Sequence, residues 1–147
     1  MSLKQWADNG WLRPHDTSQQ EIADLFVIVG RDLGDAEGNI SADWRFGIAY
    51  NAALKLCTIL LYAAGYRPEK VLQHYRTIAA LPEILGDRWK DEADYLETCR
   101  RKRNIAEYDR AGTITEQDAS ELVSFVNELQ EEVRRWLGKE HPELAPE

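Results

Sequence analysis

The chain has 147 residues, 44% of them hydrophobic, with 26 acidic against 18 basic side chains and a net charge of −8. That size and apolar content can bury a core without disulfides or metals. The negative balance opposes broad adhesion to phosphate backbones or anionic lipid, so any contact with nucleic acid has to come from a local basic patch.

Ser2 to Trp11 predicts a short amphipathic helix that Gly10 and then Pro14 stop, so that residues 1–16 form a short N-terminal helix or arm. From Thr17, apolar residues recur at three and four: Ile22, Leu25, Phe26, Val29, Leu33. Ser18 and Glu21 fit a capping box in front of them. Gly34, Gly38 and Asn39 end that helix in a turn. Asp32, Asp35, Glu37 and Asn39 lack the alternating spacing and central glycine of a calcium loop, which predicts a solvated turn.

Ser41 caps the next helix, which carries Trp44, Ile48, Ala52, Leu56, Ile59, Leu60 and Ala63 and turns apolar almost all round beyond Ala52. A helix of that kind belongs at the centre of a fold. Its apolar run from Ala52 to Ala64, broken by Lys55, falls short of the roughly 20 residues of a membrane span. Gly65 and Pro68 suit a C-cap and a first helical turn, predicting an antiparallel hairpin with a helix that carries Val71, His74 or Tyr75, Ile78 and Leu81. Pro82 forces a kink or a restart before Gly86.

A further helix starts near Trp89 and contains the run Arg100, Arg101, Lys102, Arg103. The last, capped by Thr115 with Asp118 as the acidic partner, has the cleanest stripe: Ala119, Leu122, Val126, Leu129, Val133, Trp136. Residues 139–147, with two prolines and no stripe, are expected to fray. The fold class is therefore all-α: an antiparallel up-and-down bundle of four to five helices, with residues 1–138 as a single domain.

Most enzyme constellations are missing. There is no phosphate-binding glycine loop and no nucleophile elbow. His15, His74 and His141 are scattered over three predicted segments, and Glu128, Glu131 and Glu132 have no companion histidine, so no metal and no cofactor are expected. Cys57 and Cys99 fall in helical patterns and read as buried free thiols. No leader or membrane span is evident, which makes the cytoplasm the expected location.

The basic run stands out on a helical wheel. Trp89, Ala93, Leu96, Cys99 and Ala106 define an apolar sector, with Arg103 near its middle, Arg100 at its edge, and Arg101 and Lys102 turned away. A guanidinium facing a core or an interface needs a partner anion, since desolvating it unpaired costs several kcal/mol. Two readings stand: Arg103 pairs with a buried acid, for instance on a neighbouring helix, or it lines an anion-binding cleft. The five tryptophans fall mostly on apolar stripes and read as packing residues.

The pattern Arg103-Asn104-x-x-x-Tyr108 late in a helix resembles the Arg-x4-His signature of the HEPN superfamily. The stretch "AYNAALKLCTILLYAAGYRPEKVLQHYRTIAALPEIL" also resembles that superfamily's core hairpin, in which a Gly-Tyr-Arg-like turn leads to a helix bearing a histidine, here His74. The resemblance spans roughly residues 41–137. It implies a helical domain that commonly dimerises. In many members Arg and His cleave RNA without a metal; others bind nucleotides or pair with a nucleotidyltransferase or an antitoxin in toxin–antitoxin or defence systems.

Here Tyr108 occupies the histidine position. A phenol, with a reference pKa near 10, stays protonated at neutral pH and is a poor general base, although it can donate a hydrogen bond or stack on a base. The expectation is a noncatalytic homodimer that binds RNA, a nucleotide phosphate or a partner protein through Arg100, Arg103, Asn104 and Tyr108. A diverged metal-independent endoribonuclease, with Arg103, Tyr108 and His74 as catalytic candidates, is the alternative. A purely structural or antitoxin-like bundle is the third.

Overall fold

The computed structural model describes residues 2–146 and is predominantly helical. In chain order the helices are α1 (Leu3–Asp8), α2 (Gln19–Ala36), α3 (Ala42–Ala63), α4 (Gln73–Ala79), α5 (Leu81–Leu85), α6 (Lys90–Asn104) and α7 (Glu116–Glu140). Short 3-10 turns at Asp87–Trp89 and Pro142–Leu144 flank α6 and α7, and one π-helical turn, Ile105–Asp109, extends α6.

Local chemistry accounts for the helix starts. Ser18, Ser41 and Thr115 each accept a backbone N–H of the first turn through the side chain, satisfying a donor that the helix leaves unpaired. Thr115 and Asp118 form a reciprocal capping box, as their spacing predicts. At Ser18 the box is incomplete, because the Glu21 carboxylate turns instead to Thr17 and His15, both at 2.7 Å. Pro82 sits in the first turn of α5, so the chain restarts there.

The central position of α3 is evident in its burial. Phe46, Tyr50, Leu56, Ile59, Leu60 and Leu61 are almost wholly enclosed. α2 and α7 pack broadly against α3, and α4 and α6 cover further parts of it. α2 contributes Ile22, Phe26 and Val29, α7 contributes Leu122, Val126, Leu129 and Val133, and α6 contributes Leu96 and Cys99. Each such side chain stabilises the fold by about 1.5–3 kcal/mol relative to exposure. A second small cluster joins Trp6 and Leu12 to Leu61 and Ala80.

With 22 residues, α3 is longer than its apolar run suggests and does meet the length and composition of a membrane span; 67% of its most apolar window is buried within the protein. That enclosure explains its composition without a bilayer.

Several local expectations are corrected. Leu12–Pro14 (β1) and Tyr66–Pro68 (β2) pair as two short antiparallel strands, with Arg13 opposite Arg67, where helix and loop alone are expected. Pro68 therefore ends a strand rather than opening a helix, and Leu72, at φ +56°, introduces α4. Val71 is consequently exposed instead of lying on a core stripe. α2 runs on to Ala36, and Asp32 is buried, accepting from Asn51 Nδ2 at 2.6 Å and pairing with Arg31 at 3.0 Å, so it belongs to no solvated turn. Near the C-terminus, Leu144 and Ala145 pack on the core, and Gln19 Nε2 donates to the Ala145 carbonyl at 2.7 Å.

Candidate functional site

The last two turns of α6 hold the basic run, and its members separate by helix face. Arg100 donates from Nε and Nη2 to the Glu97 carboxylate at 2.6 and 2.8 Å, and Arg101 donates to the same group at 3.2 Å. These bonds, that from Arg100 first, hold the Glu97 carboxyl below its ordinary pKa. Reciprocally, Glu97 raises the pKa of Arg100. Lys102 turns away to Asp118 at 3.4 Å.

Arg103 faces inward, as the wheel predicts, with 23% of its side chain exposed. Its guanidinium stands 5.5 Å from the centre of the Tyr50 ring. It pairs with Glu107 at 3.3 Å and donates to Asn104 Oδ1 at 3.3 Å. The acid that compensates Arg103 therefore lies one turn farther along its own helical segment rather than on a neighbouring helix. Asn104 is engaged in the same local arrangement. Two buried polar atoms in this region, Arg103 Nε and Tyr50 Oη, have no partner among the described residues. Burial raises the Tyr50 pKa and keeps the phenol protonated.

His74 lies across from this pair, its ring 6.5 Å from that of Tyr50. Its pKa is lowered, first by partial desolvation and then by the positive charges of Arg103, Arg100 and Lys55. At neutral pH the imidazole is accordingly uncharged. The other histidines have local partners: His15 meets Glu21 and stacks on Tyr62, and His141 lies beside Trp136 and Glu143.

Two clefts of useful size flank this part of the molecule. The first is a groove of about 480 Å³ between α1, α4 and α6. Three guanidiniums, those of Arg76, Arg100 and Arg101, line it together with Trp11, Tyr75 and the single carboxylate of Glu97. Arg76 is stacked over Trp11, its guanidinium carbon 4.1 Å from the ring centre. The groove is thus positive overall, and its volume falls within the roughly 300–1,000 Å³ of small-molecule sites.

The second cleft, about 570 Å³, is lined by Ser41, Asp43, Trp44, Ala106, Glu107, Tyr108 and Ala111. The π turn places Tyr108 here, 74% exposed, and neither Arg100, Arg103 nor His74 lines the same cleft. The four motif residues therefore do not converge on one ligand. Arg100 belongs to the basic groove, Arg103 and Asn104 to a locally paired cluster, and Tyr108 to the acidic cleft.

Sequence reasoning missed Arg76, Trp11 and Tyr75 as groove residues. It also read Arg101 as purely solvated, although its side chain lines the groove wall. The spacing of α4 could have indicated Arg76 and Tyr75 had its start been fixed at Gln73; no local signal links Trp11 to them. Trp44, assigned to packing, is 60% exposed. Cys57 and Cys99 are buried free thiols, and desolvation pushes their pKa values up to about 12 and about 11, which keeps both unreactive near neutrality. No group of three or more metal-ligating side chains occurs among the described residues. Comparison with family models, curated proteins and solved structures gives no significant match to this chain.

Proposed function

We propose that the chain is a HEPN-like bundle that binds RNA or a nucleotide phosphate without cleaving it, and that the binding surface is the groove of Arg76, Arg100 and Arg101. One observation carries this reading: three guanidiniums and three aromatic side chains share a single groove on a protein that is otherwise strongly acidic. Arginine supplies planar donors for phosphate, and exposed aromatic faces stack on bases without regard to sequence. The anchor is thus Arg100 rather than Arg103, which does not line the groove. The groove is lined by residues of one chain. The homodimer and a toxin–antitoxin or defence setting remain implications of the resemblance alone.

A second reading, metal-independent endoribonuclease activity, draws support from His74, an uncharged imidazole beside the arginines. One experiment separates the two. A labelled single-stranded oligoribonucleotide is incubated with the protein in EDTA, and both retention and integrity are followed. Intact RNA that is retained, with binding weakened by Arg100→Ala and by added salt, supports the binding reading. Cleavage that disappears on His74→Ala supports the nuclease reading. Neither binding nor cleavage would leave a structural bundle as the better account.

A further inference from the structure

The cleft of Asp43, Trp44, Glu107 and Tyr108 has the opposite chemistry to the basic groove. Two large aromatic side chains, Trp44 and Tyr108, are 60% and 74% exposed on its walls, and Ile40 and Ile105 are exposed close by in sequence. Two carboxylates line the same space. Glu107 is in part neutralised by Arg103 at 3.3 Å. Asp43 is not: its Oδ2 accepts the Gly112 N–H at 2.8 Å, while Oδ1 is buried and has no partner among the described residues. No Lys, Arg or His pairs with the Asp43 carboxylate among the described residues, so its charge is left for an incoming cation.

The start of α3 also borders this cleft, and a helix N-terminus by itself favours anions, with about half an elementary positive charge. Here Ser41 already takes the Trp44 N–H, and Asp43 places a full negative charge in the first turn. An incoming anion would meet two carboxylates, so the balance favours a cation.

We propose that this cleft recognises an arginine side chain presented by a basic peptide segment of another protein. A guanidinium suits the lining better than an ammonium: its flat face stacks on Trp44 or Tyr108, and its edge offers N–H donors to the carboxylates that line the cleft. The volume of about 570 Å³ accommodates the whole side chain with adjoining peptide. The net charge of −8 draws such a segment toward the protein.

The test uses the full chain and an acetylated, amidated peptide of three arginines separated by glycines, with binding followed by calorimetry. Peptides with lysine or citrulline in place of arginine serve as comparisons. The arginine peptide is expected to bind, the lysine peptide more weakly and the citrulline peptide not at all. Tyr108→Ala and Trp44→Ala, both changes at exposed side chains, should each weaken binding about fivefold. Glu131→Gln, on the exposed face of α7, should leave it unchanged.

Three results would overturn the proposal. The first is equal affinity for the arginine and lysine peptides. The second is affinity untouched by both aromatic substitutions, which would indicate diffuse attraction to an acidic protein. The third is a protein dimer that Tyr108→Ala or Trp44→Ala dissociates and that ignores the peptide, which would show that a second copy of this chain covers the cleft.

Discussion

The two clefts are built from similar materials and differ mainly in charge. Each presents tryptophan and tyrosine beside charged side chains: Trp11 and Tyr75 with three arginines in one, Trp44 and Tyr108 with two acids in the other. Aromatic walls supply stacking surface to any planar group, so the neighbouring charges decide which planar group is welcome. An acidic protein can for that reason still offer a phosphate site. Net charge sets the long-range field, while the occupant of each cleft is chosen by side chains within a few ångströms.

That contrast can be broken at several levels. The largest effect is expected from Leu56→Ala, which empties fully buried space in α3, the helix both regions depend on. Chemical denaturation should show a loss of about 2–5 kcal/mol, and both binding activities should fall together near the lowered midpoint. Next comes the double substitution Arg100→Ala with Arg101→Ala. Oligoribonucleotide affinity should drop at least about tenfold, and the slope of its logarithm against that of salt should shrink by roughly two, while the arginine peptide binds as before.

Gly112→Ala acts on the acidic side alone. Gly112 has φ +80° and open space around an added Cβ, so the cost of about 1–2 kcal/mol in thermal stability would be purely conformational. Relief of that strain displaces the Gly112 N–H that Asp43 accepts, so peptide binding should weaken and RNA binding should not.

The smallest effect concerns His74, whose pKa is lowered in the folded state. The native protein prefers the neutral imidazole, so its stabilising contribution is present above the ordinary histidine pKa. It is lost as the pH falls through that value toward the folded one. His74→Gln should therefore flatten the decline in melting temperature between about pH 7 and pH 5.5, whereas losses from the paired carboxylates begin only below about pH 4.5.

Much of the helical scaffold was legible because its signals are local. The stripes of α2 and α7, the caps at Ser41 and Thr115 and the restart at Pro82 each follow from residues a few positions apart. The β1–β2 pairing was not legible, since three-residue strands have no periodicity to read and their hydrogen bonds join distant segments. The same limit hid the basic groove: Arg76 stacks on Trp11 only after α4 and the chain just before β1 have been brought together. The wheel correctly turned Arg103 inward, whereas the grouping of Arg103 with Tyr108 came from the family resemblance, which carries no contact geometry for this chain.

The turn that follows Arg103 adds to the separation of Arg103 from Tyr108. The N–H of Arg110 reaches back to the Ile105 carbonyl at 2.8 Å, five residues instead of four. One additional residue in a turn rotates the side chains beyond it by about 100° relative to an uninterrupted α-helix. Ile105–Asp109 is therefore a place where adding or removing a single residue would be consequential: a one-residue deletion would redirect Tyr108 and rebuild the acidic cleft while leaving Arg100 where it is. Length variation at this turn, more than substitution, is the shortest route by which such a protein could gain or lose its second binding surface.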